Sequence, residues 1–259
     1  VGTRQNPQFA GAQLIGQMAH AYSGLKLGDF YGNDGLWDLA VGTFWLVNGD
    51  ETYPKSYGGL WKNVGTPTSP SFELVLADAG SFYTEQFQRC DAGQQNGVRA
   101  VDWDDDGDTD LVGSSSDGLA LYWRNLTDNT YPVFDDVQWL MVDDGGSTYP
   151  VRMERRPEAG YARMDLADWN NDGLVDMIIG DEEARVFVYL NDGQGHDPPT
   201  FEPGDQLWAN GKPLDCLKRG SPLVCDWNHD GKKDLLFGMA PKQDDPDTPL
   251  DWPAKDGNK

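Results

Sequence analysis

One nine-residue pattern, repeated three times, constrains this chain more than any other feature. The copies begin at Asp102, Asp168 and Asp226, with carboxylates or amides at positions 1, 3 and 5, glycine at position 6 and aspartate at position 9. Oxygen ligands that alternate around a glycine turn are suited to wrapping a hard cation such as Ca²⁺, with the carbonyl at position 7 and the carboxylate at position 9 completing the sphere. A metal-free hairpin turn rich in Asp and Gly is the alternative, and three copies in register favour calcium.

The flanks of these loops predict strands. Short apolar runs such as Val98–Val101 precede the loops, and runs such as Leu235–Phe237 follow them. The loops are not EF-hands, because position 12, where an EF-hand carries a bidentate glutamate, holds Gly113, Ile179 and Phe237. We therefore expect each cation in the turn of a β-hairpin.

A second pattern recurs in phase with the loops. Pro-x-Phe segments lie at residues 7–9, 70–72, 132–134 and 199–201, about 60 to 70 residues apart. Aromatic strands that end in asparagine precede three of them, at residues 59–63, 121–125 and 187–191. Each unit thus has four strands, which predicts an all-β chain and a β-propeller built of four-stranded blades. The 31 Gly and 16 Pro residues interrupt every candidate helix.

The repeat boundaries predict a single β-propeller domain, or propeller fragment, over residues 1–259. About four blades are present, at approximately residues 10–72, 73–134, 135–201, and 202–259 together with 1–9. Residues 1–9 align with residues 64–72, so the N-terminal strand would complete the last blade. Four blades closing on themselves is one arrangement. An arc of a larger ring, completed by further sequence or by another chain, is the one we favour.

The first unit carries an irregular loop. Residues 28–38 keep Asp34, Gly35 and Asp38 but have one extra residue after Asp29. Counting back from Asp34 places a glycine at position 3 and a phenylalanine at position 1. Asp29, Asp34 and Asp38 are therefore a fourth candidate calcium site, with fewer oxygen ligands than the six or more that calcium takes.

The loop and the apolar run after it, at residues 102–113, 168–180 and 226–238, resemble the FG-GAP/VCBS repeat family. Similar calcium-loop blades occur in the propellers of integrin α-subunits. The resemblance implies as metal ligands Asp102, Asp104, Asp106, Asp108 and Asp110, then Asp168, Asn170, Asp172, Leu174 and Asp176, then Asp226, Asn228, Asp230, Lys232 and Asp234, with position 7 acting through its carbonyl. Such propellers serve as lectins, adhesion modules, lyase scaffolds and assembly subunits, so the resemblance fixes the fold more firmly than the activity.

The composition of the chain limits the classes of partner that it is expected to bind. A net charge of −23 and the lack of a basic stripe argue against nucleic acid, and no apolar run is long enough to span a membrane. Millimolar extracellular calcium suits such loops, so we expect a secreted or cell-surface protein. The sequence opens at Val1, which indicates that a leader was removed or that it begins inside a longer protein. Cys216 and Cys225 pair, or they remain thiols like Cys90.

A small set of charged residues is the candidate ligand site. Lys26, Arg99 and Asp165 occupy the same position before their loops, and Arg163 lies two residues earlier than Asp165. On innermost strands these charges would face the central channel, as a ligand site or as solvated wall charges. No catalytic residue is indicated by the three histidines or the cysteines.

The tryptophans divide into two groups. Trp103, Trp169 and Trp227 repeat at loop position 2, which predicts packing between blades. The tryptophans out of phase with the repeat are candidates for exposed contacts: Trp45, Trp139, Trp208 and Trp252. We expect a non-catalytic module that binds carbohydrate or an extracellular protein. The alternatives are a structural subunit whose blade a neighbour completes, and a polysaccharide lyase or hydrolase.

Overall fold

The computed structural model describes residues 23–29, 32, 34–43, 59–74, 98–114, 118–129, 132–151, 162–181, 185–195, 197–214 and 220–238. All regular secondary structure in these ranges is β-strand, which confirms the prediction of an all-β chain. Within them, no helix is long and apolar enough to cross a membrane.

Nineteen strands lie in the described ranges. The first eight are β1 (Ser23–Gly28), β2 (Asp38–Thr43), β3 (Gly59–Asn63), β4 (Phe72–Leu74), β5 (Val98–Val101), β6 (Asp110–Ser114), β7 (Ala120–Trp123) and β8 (Gln138–Trp139). The next six are β9 (Met141–Asp143), β10 (Thr148–Pro150), β11 (Arg163–Ala167), β12 (Asp176–Gly180), β13 (Val186–Tyr189) and β14 (Thr200–Phe201). The last five are β15 (Asp205–Gln206), β16 (Trp208–Ala209), β17 (Lys212–Pro213), β18 (Ser221–Cys225) and β19 (Asp234–Gly238).

Four antiparallel sheets follow one another along the chain. Sheet I has the order β1-β2-β3-β4, sheet II β5-β6-β7-β8 and sheet III β11-β12-β13-β15, and sheet IV is the pair β18-β19. In every sheet the first two strands are joined by an acidic loop: loop A (residues 29–37), loop B (102–109), loop C (168–175) and loop D (226–233). The acidic loops are therefore hairpin connections, as the flanking apolar runs predicted.

The predictions for the third and fourth strands of the repeat had different outcomes. The aromatic strands predicted at residues 59–63, 121–125 and 187–191 are β3, β7 and β13. The Pro-x-Phe segment enters the fourth strand only in sheet I, as β4. In sheets II and III its phenylalanine instead forms an isolated bridge to the asparagine that follows the aromatic strand, and the fourth strand, β8 or β15, begins further along. In the third repeat residues 200–201 form β14, but this strand pairs with β9 and is not part of sheet III. The prediction that the Pro-x-Phe segment is the fourth strand of its sheet was therefore wrong for these two repeats.

An additional small sheet lies between sheets II and III. Strands β9 and β10 form a hairpin, and β14 pairs with β9 in parallel, through Thr200 and Met141. A parallel pair needs a long crossover, here the chain from β9 through sheet III to β14. The repeat pattern did not predict this parallel pairing, because β9 and β14 belong to parts of the chain separated by most of sheet III. The next unit has an equivalent hairpin, β16–β17, which follows β15 as β9–β10 follows β8.

Successive sheets are stacked so that the first strand of one lies beside the first or second strand of the sheet before it. Strand β1 lies beside β5, β6 beside β11, and β11 beside β18. The backbones of sheets III and IV approach closely, because a Cβ added to Gly180 would lie 2.1 Å from the carbonyl oxygen of Gly220. Such contact excludes any side chain at residue 180 and leaves sheets III and IV in direct contact at this point.

The hydrophobic core lies between the stacked sheets. All of β12 is buried, and its side chains alternate between two clusters. Met177 and Ile179 join a cluster with Tyr122 of sheet II, whereas Ile178 joins one that includes Val224 of sheet IV. A strand buried on both faces lies in the middle of a layered stack.

Some predictions fall outside the described residues. They include the pairing of residues 1–9 with the last blade, the roles of Trp45 and Trp252, and the state of Cys90 and Cys216. Cys225 lies on β18 as a half-buried free thiol. The division into four blades of one domain remains a prediction.

Candidate metal centres

The backbone of loops B, C and D is held by one shared set of hydrogen bonds. The carboxylate at position 1 accepts the backbone N–H groups of positions 5 and 6, as Asp102 accepts those of Asp106 and Gly107 at 3.1 Å each. Asp168 and Asp226 accept the corresponding pairs at 2.9 to 3.1 Å. These bonds curl the chain so that the side chains of positions 1, 3 and 5 lie on the inside of the turn.

The turn also needs left-handed backbone at two positions. Glycine 6 has φ of 92°, 93° and 84° in the three loops, as the sequence predicted. Position 4 has φ of 59°, 64° and 61°, in Asp105, Asn171 and His229. Asp, Asn and His are enriched in this region among non-glycine residues, so residue type at position 4 was a signal that the sequence reasoning missed. His229 therefore serves the turn and does not point to catalysis.

Three carboxylates converge in loop B. One oxygen from each of Asp102, Asp104 and Asp106 lies within 4.8 Å of the others. Asp104 is 7% exposed, and its Oδ1 is buried without a hydrogen-bond partner. A buried carboxylate oxygen without a donor is costly unless a cation compensates it. The donor set and this orphaned oxygen fit a hard cation that prefers oxygen ligands.

Burial and like charge shape the electrostatics of loop B. Burial, followed by the neighbouring Asp106, raises the pKa of Asp104 above its ordinary value. Burial and Asp106 likewise raise the pKa of Asp108. Burial is the main cause of both shifts, and a divalent cation bound by these carboxylates would stabilise their ionised form.

In loops C and D position 3 holds an asparagine, and its amide is hydrogen-bonded to the aspartate at position 5. Asn170 donates from Nδ2 to Asp172 at 2.7 Å and accepts the Asp172 N–H at 3.0 Å. The Leu174 N–H and the Asn170 amide lower the pKa of Asp172 and keep it ionised. Asn228 and Asp230 have the same arrangement in loop D. Loops C and D therefore each present a carboxylate at position 5 and an amide oxygen at position 3.

The aspartate at position 9 has a structural role beside its proposed ligand role. Asp110 Oδ2 accepts the N–H of Trp103 and the Tyr122 hydroxyl, while Oδ1 accepts the N–H of Asn125 at 2.7 Å. Asp176 accepts the equivalent backbone N–H groups of Trp169 and Asn191. The carboxylate thus fastens the loop to the end of the aromatic strand. In Asp110 both sites of Oδ2 are taken by hydrogen bonds, and Oδ1 retains a lone pair for a metal ion.

Loop A keeps most of this scaffold despite its extra residue. Asp29 accepts the N–H of Gly35 at 2.7 Å, as position 1 does elsewhere. Asp34 accepts the N–H of Leu36, and Asp38 accepts that of Asn63. Asp29 therefore takes position 1 although the spacing differs, but Gly32 at position 3 supplies no side-chain ligand.

The charged residues predicted as a ligand site are partly engaged with one another. Arg99 Nε donates to Asp165 Oδ1 at 3.1 Å, and Asp165 Oδ2 accepts the N–H of Val224 at 2.8 Å. Asp165 is only 2% exposed. These contacts connect sheets II, III and IV through a largely buried ion pair, which differs from the solvated wall charges considered as the alternative. Lys26 lies on β1 and Arg163 on β11, and a ligand-binding role for the four residues stays a prediction.

The loop tryptophans differ in burial. Trp103 is buried and makes edge contacts with Tyr122 and with Phe201 of the following repeat, with ring centroids 6.0 and 5.7 Å apart. Trp169 packs on the cluster between sheets III and IV. Packing between repeats is therefore confirmed for these two. Trp227 is 53% exposed.

The fold and the loops together define a β-propeller-like protein built from hairpin-loop repeats. Residues 168–237, which span loop C to the end of sheet IV, match the family of FG-GAP-like repeats. Over these residues the resemblance to the FG-GAP family is confirmed.

Comparison with solved structures gives a chain from "Structure of Photorhabdus luminescens Tc holotoxin pore, Mutation TccC3-D651A". The similarity has a TM-score of 0.44 and 19% identity, and it covers 85% of this chain and 8% of that one. None of the curated proteins compared with this chain matches it.

Proposed function

We propose that this chain is a secreted β-propeller module, or an arc of a larger propeller, that binds an extracellular carbohydrate or protein without catalysis. Calcium in the hairpin loops would hold it in shape. The convergence of Asp102, Asp104 and Asp106, with a buried oxygen left unpaired, carries the calcium part of this proposal. Bound calcium would supply positive charge to these carboxylates.

Charge gives the physical reason for a structural metal. A chain with a net charge of −23 repels itself on compaction, and the loops concentrate acid at the tips of the sheets. A ligand that binds only the folded state stabilises it by mass action, by about 2.7 kcal/mol at one hundred times its dissociation constant. Several loops filled together would contribute a large share of a typical domain's stability.

Thermal unfolding tests the calcium proposal. We expect the melting temperature to fall by roughly 10 °C or more when EDTA replaces millimolar calcium, because about 1 kcal/mol shifts it by 2–4 °C in a domain of this size. Asp168→Ala should remove part of the calcium response, whereas Asp205→Ala, at an exposed position of β15, should keep it. An identical melting temperature in calcium and EDTA would rule out a structural metal.

Two exposed tryptophans support the binding part of the proposal. Trp139 on β8 and Trp208 on β16 are 54% and 64% exposed, as expected for residues out of phase with the repeat. Exposed aromatic rings on strands of successive repeats are suited to contact with sugar rings or protein surfaces. Other aromatic positions of the repeat, such as Trp103 and Trp123, are buried instead.

A glycan array and a pull-down from extracellular material test whether the surface around Trp139 and Trp208 binds a ligand. We expect Trp139→Ala or Trp208→Ala to weaken binding roughly ten-fold, since a buried aromatic anchor contributes more than about 1 kcal/mol. Trp37→Ala is the matched control, because Trp37 is similarly exposed but lies at the end of loop A, on a different sheet. Retained binding in the double variant would exclude this surface.

A structural subunit is the second candidate, and Trp227 favours it. The equivalent Trp103 is covered by the following repeat, whereas Trp227 and Leu223 of sheet IV are half exposed. Such a face suits packing against another sheet, including one from a second copy. Light scattering of the calcium-loaded protein tests this: an oligomer that Trp227→Ala dissociates supports it, and a monomer excludes it.

A further inference from the structure

In two of three sheets, the residue just before the strand-ending asparagine reaches the acidic loop of its own sheet. This position holds Lys62 in sheet I, Arg124 in sheet II and Leu190 in sheet III. Two of the three are cations, and their side chains reach the loop carboxylates. The third is apolar and packs on the cluster between sheets III and IV. The position therefore varies in charge while the loop scaffold around it stays the same.

In loop B the guanidinium of Arg124 lies at the converging carboxylates. Its Nη2 is 2.7 Å from Asp104 Oδ2 and 3.6 Å from Asp106 Oδ2. Its Nη1 donates to Asp197 of the following repeat at 2.6 Å. The same carboxylates, Asp104 and Asp106, that would bind calcium thus have a side-chain cation beside them.

In loop A the ammonium of Lys62 occupies the space where the other loops have the ligand side chain of position 3. Nζ is 3.5 Å from Asp34 Oδ2. A Cβ built on Gly32 would lie 2.7 Å from this Nζ, so the ammonium fills the space that a position-3 side chain would occupy. Position 3 is where the other loops supply Asp104, Asn170 or Asn228.

In loop C nothing cationic enters from this position. Leu190 is half-buried among apolar side chains, and the Asn170 amide donates to Asp172 instead. An amide can rotate to present its oxygen to a metal ion, whereas a guanidinium has no acceptor atom and must leave. Loop C can therefore take a cation without displacing a charged side chain of its own sheet.

We propose that the residue before the strand-ending asparagine determines which cation each loop holds. In loop A the Lys62 ammonium replaces the metal ion. In loop B Arg124 competes with calcium for Asp104 and Asp106, so that this loop fills after loop C. Asp197 receives the guanidinium when calcium enters. This inference rests on the proposed binding of calcium by the loops.

Equilibrium dialysis of the full chain against Ca²⁺ tests the order of filling. Arg124→Met keeps the length of the side chain and removes its charge, and we expect it to strengthen one calcium site roughly ten-fold. Adding Asp102→Asn should abolish the strengthened site and so assign it to loop B. Arg124→Lys should stay near the wild type. Lys212→Met, an equal change in net charge at an exposed residue of β17, should leave all sites unchanged.

A reciprocal variant and thermal unfolding complete the test. Leu190→Arg should weaken one site roughly ten-fold, and Asp168→Asn should identify it as loop C. In EDTA, Arg124→Met should melt below the wild type because Asp104, Asp106 and Asp197 lose their counter-charge, and saturating calcium should close the gap.

The outcomes separate this inference from the function on which it rests. Calcium binding by the wild type that neither Arg124→Met nor Leu190→Arg alters would overturn the role of this position and leave the calcium proposal intact. The same holds if Lys212→Met strengthens binding as much as Arg124→Met does. No calcium binding by the wild type would overturn both.

Discussion

At the scale of single residues, the aspartate at position 9 is the group on which each hairpin depends. Asp110 is fully buried, yet its two oxygens accept three hydrogen bonds from Trp103, Tyr122 and Asn125. The sequence indicated a metal ligand at this position. It gave no sign of the bonds to the aromatic strand, because those donors lie on residues distant in sequence.

Asp110 also makes stability depend on pH in the metal-free protein. Burial raises the pKa of Asp110 to about 6, from 3.8, against the opposing effect of its hydrogen bonds. The folded state then binds more protons than the unfolded state between these values. The contribution of Asp110 is therefore present below about pH 4 and is lost as pH rises through about 6.

Urea unfolding in EDTA at several pH values measures this effect. We expect the free energy of unfolding to decrease from pH 4.5 to 6.5, in the same sense as the raised pKa values of Asp104 and Asp176. Asp110→Asn should flatten the slope at some cost in stability. A free energy of unfolding that rises steadily over this window would contradict the assignment.

At the scale of elements, the hairpin and its following strand are fastened by one asparagine. Asn191 donates its N–H to Asp176 and accepts the N–H of Gly193 on its side chain, and Asn63 and Asn125 do the same in their sheets. An Asx turn of this kind starts the connection to the fourth strand. The recurrence of asparagine at this point in three repeats follows from these two bonds.

Asn191→Ala should therefore destabilise the protein more than its position at a strand end suggests. We expect a loss of about 1–3 kcal/mol in the free energy of unfolding, because the half-buried Gly193 N–H loses its acceptor. Gln194→Ala, at an exposed neighbour, should change it by less than about 0.5 kcal/mol. Denaturant unfolding of both variants in calcium makes the comparison, and equal effects would show that the Asx turn is not stabilising.

The elements also show how far the sequence predicts this fold. The hairpins around loops B, C and D and the aromatic strands were predicted, since local spacing and apolar runs determine them. The β9–β10 hairpin and its parallel partner β14 were not, because a pairing across sheet III leaves no local periodicity. Arg124 was missed as a site residue because its ion pairs with loop B depend on how the strands of sheet II fold together, although the lysine at the equivalent position 62 was a signal in the repeat.

At the scale of the whole molecule, the sheets are held together by more than apolar packing. Asp165 of sheet III accepts from Arg99 of sheet II and from the backbone of Val224 in sheet IV. Lys233 of loop D donates to Asn171 of loop C, and Gly32 of loop A donates to the carbonyl of Asn129 in sheet II. Each sheet thus has a polar contact to the next, in addition to the clusters between them.

Asp165→Ala tests whether these contacts make the stack unfold as one unit. Removing one partner of a buried ion pair leaves the other charge uncompensated, at a cost of about 3–5 kcal/mol. We expect that loss together with a broader transition, because sheet II and sheet IV lose their shared carboxylate. Asp205→Ala, exposed on β15, is the control.

Arg99→Leu combined with Asp165→Leu should recover much of the loss in the free energy of unfolding, since an apolar pair of similar volume is often neutral. A ligand that binds wild type and loses affinity in Arg99→Leu, with no change in unfolding, would instead assign the pair to ligand binding.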